Sequence, residues 1–239
     1  MRRKLRKTCT HTRGLTLVEL LTVIAIIGVL AALLIPTVGR ILDNARKSAA
    51  QSNLRQIALA YRTYASEGGR PRTIHAESMY DWARILAEGV DFNDPQIYIL
   101  GDDPVVEQHT GVLPVVVAAP PAEGSGAWVL DPDFGNHPLS FAVANRLSAR
   151  GTASSTPVAW TRGLSLDGTW NDLDAPNPGV YGSEGGHIAF LDGHVSWYTN
   201  LQEDGGRLRN YRTRRPTASI AEALSPNAEG LDHTGRAFE

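Results

Sequence analysis

Six side chains in this 239-residue chain have types and spacings that invite chemistry. His187 and His194 flank Asp192-Gly193, and histidine is a common metal ligand. A two-residue turn at Asp192-Gly193 would put both on one face of a hairpin. They would then lie four residues apart along the ladder, roughly 13 Å at 3.3 Å per residue. That is too far for two ligands of one ion, so a structural or surface role is expected for each. Asp167, Asp172 and Asp174 crowd the stretch DGTWNDLD, and packed carboxylates are what calcium takes. Their spacing lacks the alternation and the twelfth-position glutamate of an EF-hand. A solvated, turn-rich loop is the preferred reading, with calcium at these three aspartates the alternative and no other cofactor or metal expected. Glu19 is the remaining group, a carboxylate inside a run of apolar residues. No catalytic set accompanies them: there is no G-x-S-x-G, no phosphate-binding glycine loop and no H-E-x-x-H. An enzyme is not expected.

The element that must hold Glu19 runs from Leu17 to Ile35, nineteen residues with Glu19 the only charge. A helix needs roughly 17–25 apolar residues to cross a bilayer. A carboxylate in such a span costs roughly 2.5–3.5 kcal/mol on insertion scales, so it calls for compensation. Pro36 follows and removes one helical hydrogen bond, which predicts a kink there. Helical character resumes over residues 40–66, free of Gly and Pro, and Gly68-Gly69 stops it. Leu54, Ile57, Ala58, Tyr61 and Tyr64 make a stripe at three- and four-residue intervals that can pack on a folded domain. From Leu17 to Glu67 such a helix would measure about 75 Å at 1.5 Å per residue.

Downstream, a helix is expected at 77–88, with Gly89 closing it. Short strands are expected at Gln96–Leu100, Val112–Ala118, Leu139–Asn145 and Pro157–Thr161. The Asp-Gly pair between apolar runs makes Gly186–Thr199 a hairpin. With Asp192 and Gly193 as the turn, Ile188, Phe190, Val195 and Trp197 would share a buried face, and His187, Ala189, Leu191, His194, Ser196 and Tyr198 the other. Residues 201–239 read as a loosely held tail with a weak helix near 217–224.

Charge narrows the partners. Residues 1–14 hold six Lys and Arg and no acid, so the rest of the chain sets 17 bases against 25 acids. Such an acidic body argues against nucleic acid. The one cysteine, Cys9, lies in the basic leader, so nothing downstream can form a disulfide. Dense positive charge before the span, against Arg40, Arg46 and Lys47 diluted by Asp43 after it, places the N-terminus in the cytoplasm.

Arg13-Gly14 followed by Leu15-Thr16-Leu17-Val18-Glu19-Leu20 resembles the leader of type IV pilins and type II secretion pseudopilins. That resemblance implies cleavage by prepilin peptidase between Gly14 and Leu15, N-methylation of Leu15, and an assembly role for Glu19 as the fifth mature residue. It also implies a helix-bending role for Pro36. The family usually begins its mature chain with phenylalanine, and leucine stands here. A second likeness, to a pilin motif of histidine, nine residues and Asp-Gly, is degenerate, because Gly182 occupies the histidine position.

The expected fold is therefore α+β: a long N-terminal helix carrying a small antiparallel-sheet head, pilin-like. The expected divisions are a leader at 1–14, a helix at 15–67 (transmembrane to about 36), a head at 68–200 and a tail at 201–239. What the resemblance implies is a prepilin-like subunit of a type II secretion pseudopilus or a type IV pilus-like filament. Its partners would be the inner membrane, prepilin peptidase, homologous subunits and assembly machinery, with the head outside the cytoplasm. The alternative is a membrane-tethered binding domain that never polymerises.

Overall fold

The computed structural model describes residues 16–69, 71–122, 126–203 and 207–236. It comprises two compact units, one running through Ala45 and one from Arg46 onwards. Helix α1, Leu17–Ser66, contributes to both. In the first unit its large apolar side chains are open, from Val23 and Val38 at 49% exposed to Leu17 at 77%. The backbone is helical through Pro36.

In the second unit α1 behaves as a core helix. Ala50, Leu54, Ile57, Ala58, Tyr61 and Ala65 are buried, one per three or four residues as a single buried stripe requires. Tyr61 stacks on Trp82 at 6.0 Å, and its hydroxyl donates to the Leu147 carbonyl. Gly68 (φ 78°) and Gly69 (φ 73°) then take the left-handed conformation that ends the helix.

Helix α2, Met79–Val90, starts at Ser78, whose hydroxyl accepts from the Asp81 amide at 3.1 Å. It buries Met79, Trp82, Ala83, Leu86 and Ala87. Gly89 does not close it. The helix continues to Val90, and Asp91 takes the left-handed position. Gly89 serves packing instead, since a Cβ there would stand 2.7 Å from the Tyr64 ring.

The sheet has six antiparallel strands: β1 (Phe141–Asn145), β2 (Pro157–Thr161), β3 (Gly186–Phe190), β4 (Val195–Tyr198), β5 (Glu229–Asp232) and β6 (Gly235–Arg236), in spatial order β6-β5-β1-β2-β3-β4. Every residue of β1, β2 and β3 is buried, so both faces of the sheet are covered, while β4 at the edge is half-buried. Two expected strands take other forms. Residues 95–98 make a 3₁₀ turn because Asp94 caps it and Pro95 starts it. Of Val112–Ala118 only Ala118 enters a strand, a two-residue ribbon pairing Ala118–Ala119 with Val129–Leu130.

The described residues after 200 are no loose tail. β5 pairs with β1 in the middle of the sheet, with Val143 opposite Leu231 and Asn145 opposite Glu229. The buried Asn145 side chain ties it further, donating to Glu229 Oε1 at 2.9 Å and to the Ala76 carbonyl at 2.8 Å. Leu208, Ile220, Ala223, Leu224 and Leu231 join the same core.

The β3–β4 hairpin turns at Asp192 and Gly193, but its register is one residue away from the two-residue form. Ala189 faces Val195, Ile188 faces Ser196 and His187 faces Trp197. Three residues make the loop: the Phe190 carbonyl accepts from Gly193 N at 2.8 Å, and Phe190 N donates to the His194 carbonyl at 3.0 Å. Gly193, at φ 88°, takes the bulge position of this three-residue loop. A one-residue slip exchanges faces. Trp197 therefore joins His187, Ala189 and Val195, not Ile188, and Leu191 falls in the loop, where it is buried. Cysteines at Ala189 and Val195 should form a cross-strand disulfide on mild oxidation, whereas cysteines at Phe190 and Val195 should not; peptide mapping of the two variants distinguishes the registers.

Candidate functional site

The described chain opens on a reciprocal cap. Thr16 Oγ1 accepts from Glu19 N at 3.2 Å, while Glu19 Oε2 accepts from Thr16 N and Thr16 Oγ1, both at 2.8 Å. This is a capping box, Thr at the N-cap and Glu three residues on. Thr-x-x-Glu at the head of an apolar run was the signal for it in the sequence. It gives the carboxylate a local partner that composition alone did not. Gly14 and Leu15, the expected cleavage pair, lie outside the described residues. Pro36 stands within α1, where its missing N–H leaves one carbonyl of the preceding turn without its usual donor.

A second cluster gathers in the head around Lys47 on α1. Its ammonium lies 3.2 Å from Glu184 Oε2, 4.2 Å from the Trp197 ring centre and 5.8 Å from that of Tyr181. His187 sits beneath, edge-on to Trp197 at 4.9 Å, buried, with no hydrogen-bond partner for Nδ1 among the described residues. Burial, and secondarily the Lys47 charge, pushes the imidazole down to about 4. Burial, reinforced by Asp102 and Asp103, raises the Tyr181 phenol. The cluster is built to hold a neutral histidine under a cation–π contact, an arrangement that fastens α1 to the sheet edge.

His194 is elsewhere. Its ring stacks on Phe190 at 4.3 Å, and Nδ1 lies 2.6 Å from Asp192 Oδ1. Burial works to raise the Asp192 carboxyl, but bonds from the His194 amide and ring carry it below its usual value. The observed register sets His187 and His194 on opposite faces of the hairpin, not on one. The three aspartates do not converge either. Asp167 accepts from Thr169 N at 3.0 Å and Thr169 Oγ1 at 2.7 Å, and Asp172 and Asp174 are exposed. Among the described residues no group of three His, Asp or Glu side chains is arranged to hold a metal.

Sequence reading missed the most buried charges. Arg162 binds Asp103 in a fork at 2.9 Å and 2.6 Å, both side chains fully buried. Arg162 donates as well to the carbonyls of Leu139 and Pro178, and Asp103 Oδ1 accepts from Val105 N at 3.0 Å. An arginine directly following the apolar strand Pro157–Thr161, and an Asp-Pro pair at 103–104, were the available signals.

The family described as Prokaryotic N-terminal methylation motif matches residues 9–35, which take in the end of the basic N-terminal segment, the capping box and the apolar half of α1. The chain carries a type IV pilin-like N-terminal segment. It is similar to "Type IV major pilin protein PilA" of Myxococcus xanthus (strain DK1622), at 41% identity over 60 residues. The match covers 25% of this chain and 27% of that protein's length, so the chain spans about a quarter of the relative. No solved structure matches.

The His187 geometry has a pH consequence. The unfolded histidine, near 6.5, takes up a proton before the folded one at about 4. Stability should therefore fall as pH drops from 6.5 to 4, by about 3 kcal/mol in full. Burial likewise lowers His233, which adds in the same direction. Urea midpoints of the chain from Arg46 onwards should decline across that window, and His187→Gln should flatten the decline.

Proposed function

We propose that this chain is a prepilin: Gly14 ends its leader, Leu15 becomes a methylated N-terminus, and Leu17–Ile35 anchors it in the cytoplasmic membrane. Its N-terminus begins in the cytoplasm and its head lies outside. From the membrane it enters a type IV pilus-like or type II secretion filament, and its role there is structural. The observation that carries this reading is the Thr16–Glu19 capping box at the head of an apolar helix whose side chains are open all round, within the segment that matches the methylation motif.

The box refines the role of Glu19. A carboxylate in a membrane span needs compensation, and Thr16 supplies it in the single chain. Both Thr16 bonds fall on Oε2, leaving Oε1 for a second donor. Cleavage at Gly14 creates one, a cationic amine two residues before Leu17, at the same depth in a neighbouring subunit. Glu19 then sets the register of an incoming subunit rather than its insertion. Pro36 gives the helix a place to bend on leaving lipid.

N-terminal sequencing of the membrane-bound chain should begin at Leu15. Glu19→Leu should leave insertion and cleavage intact yet cut crosslinks between neighbouring anchors by about tenfold or more. A chain that begins at Met1 contradicts the processing. A Glu19→Leu chain that assembles like wild type contradicts the role of the carboxylate and favours a tethered domain that does not polymerise.

A further inference from the structure

The head carries an apolar protrusion at one end of its sheet and an apolar recess at the other. The protrusion is the segment 112–115, with Val112 69%, Leu113 60% and Val115 86% exposed around the buried Pro114. It is a held loop. Asn93 binds Val117 through its carbonyl and its side chain, the Val117 carbonyl accepts from Asp131 N at 3.0 Å, and the His109 ring packs on His137 at 4.7 Å. His137 precedes β1, so the protrusion belongs to the end where β1 starts.

The recess, about 430 Å³, is lined by Arg62, Ala65, Ser66, Pro71, Ala149 and Leu191, among others. Ala149 follows β1 and Leu191 follows β3, so the recess belongs to the end where those strands finish. Five residues of β1 separate the two ends, about 17 Å at 3.3 Å per residue. One copy of the head cannot fill its own recess.

Charge on the two rims is opposite. Within two residues of Asn93, His109 and Asp131, which hold the protrusion, the side chains of Asp94, Glu107 and Asp133 are exposed. Around the recess Arg62 and Arg150 are exposed, while Glu67 is paired with Arg72 at 3.6 Å and Asp192 with His194 at 2.6 Å. An acidic-rimmed apolar knob and a basic-rimmed apolar socket on opposite ends of one body define a head-to-tail contact. Such a contact is heterologous, and where its rotation does not close it generates a helical array.

We infer that residues 112–115 of one subunit seat in the Arg62–Ser66–Ala149–Leu191 recess of the next, making the contact between successive heads of the filament. The inference rests on the filament reading and names the partner surface within it: a second copy of this chain.

Full-length chain with Cys9→Ser supplies the test, expressed in cells and treated with a short bismaleimide. Val115→Cys and Ser66→Cys are introduced together and singly, and Ile26→Cys alone reports contact between anchors. The expected result is a ladder from the Val115/Ser66 pair, no crosslinked product from either single variant, and a dimer from Ile26→Cys, the largest product that one thiol per subunit allows. Val115→Asp in the Ile26→Cys background should lower the dimer by about tenfold while the membrane-bound amount stays constant. An Ile26 dimer without a Val115/Ser66 ladder overturns the knob-and-socket contact and leaves the filament standing. A dimer from Val115→Cys alone overturns it in favour of a two-fold contact. Absence of every crosslinked product overturns the contact and the filament reading together.

Discussion

The head depends on burying one stripe of α1. Leu54, Ile57, Ala58 and Tyr61 are fully enclosed, with Ala50 and Ala65 extending the stripe by a turn at each end. Fully burying a large apolar side chain contributes about 1.5–3 kcal/mol, so these positions alone are worth a sizeable part of a small domain's stability. Tyr61 does more than fill space, since it stacks on Trp82 and caps the Leu147 carbonyl. Gly89 exists to let α2 approach Tyr64. The sheet is thus folded against a helix whose other unit is an open apolar segment, and the core stripe and the membrane-length run share one element.

Arg162 and Asp103 set a different constraint. A fully buried ion pair forfeits much hydration, and its attraction offsets that only when the remaining donors are satisfied. Here the guanidinium reaches the Asp103 carboxylate and two carbonyls, and the carboxylate also accepts from the Val105 amide. The pair therefore fixes where the 99–107 and 178–180 segments lie relative to the strand ends. Removing one partner leaves an uncompensated buried charge, the more damaging change.

The helix and its stripe were legible because period and composition are local: Leu17 as first residue, the stop at Gly68-Gly69 and the strand Pro157–Thr161 all follow from sequence. What was hidden depended on distant partners. The strand Glu229–Asp232 is too short and polar to show alternation, and only its pairing with Phe141–Asn145 makes it a strand. The Asp192-Gly193 turn was legible, but two- and three-residue loops use the same residues, and the difference reversed the face of Trp197. Asp94-Pro95 carried a capping signal that was overlooked beside the apolar content of the following residues. Thr16-x-x-Glu19 was likewise readable. For Arg162 and Asp103 each partner had a local signal, but the pairing itself was not readable, because nothing local joins two residues 59 apart.

The folded head begins within α1, at Arg46, and not after it. Two versions of the chain decide this, one beginning at Arg46 and one at Gly68, both followed by thermal unfolding. The Arg46 version should melt in a single cooperative transition, and the Gly68 version, stripped of the stripe, should show none. A cooperative melt of the Gly68 version at a similar temperature would contradict this boundary, since the sheet would then hold its core without α1.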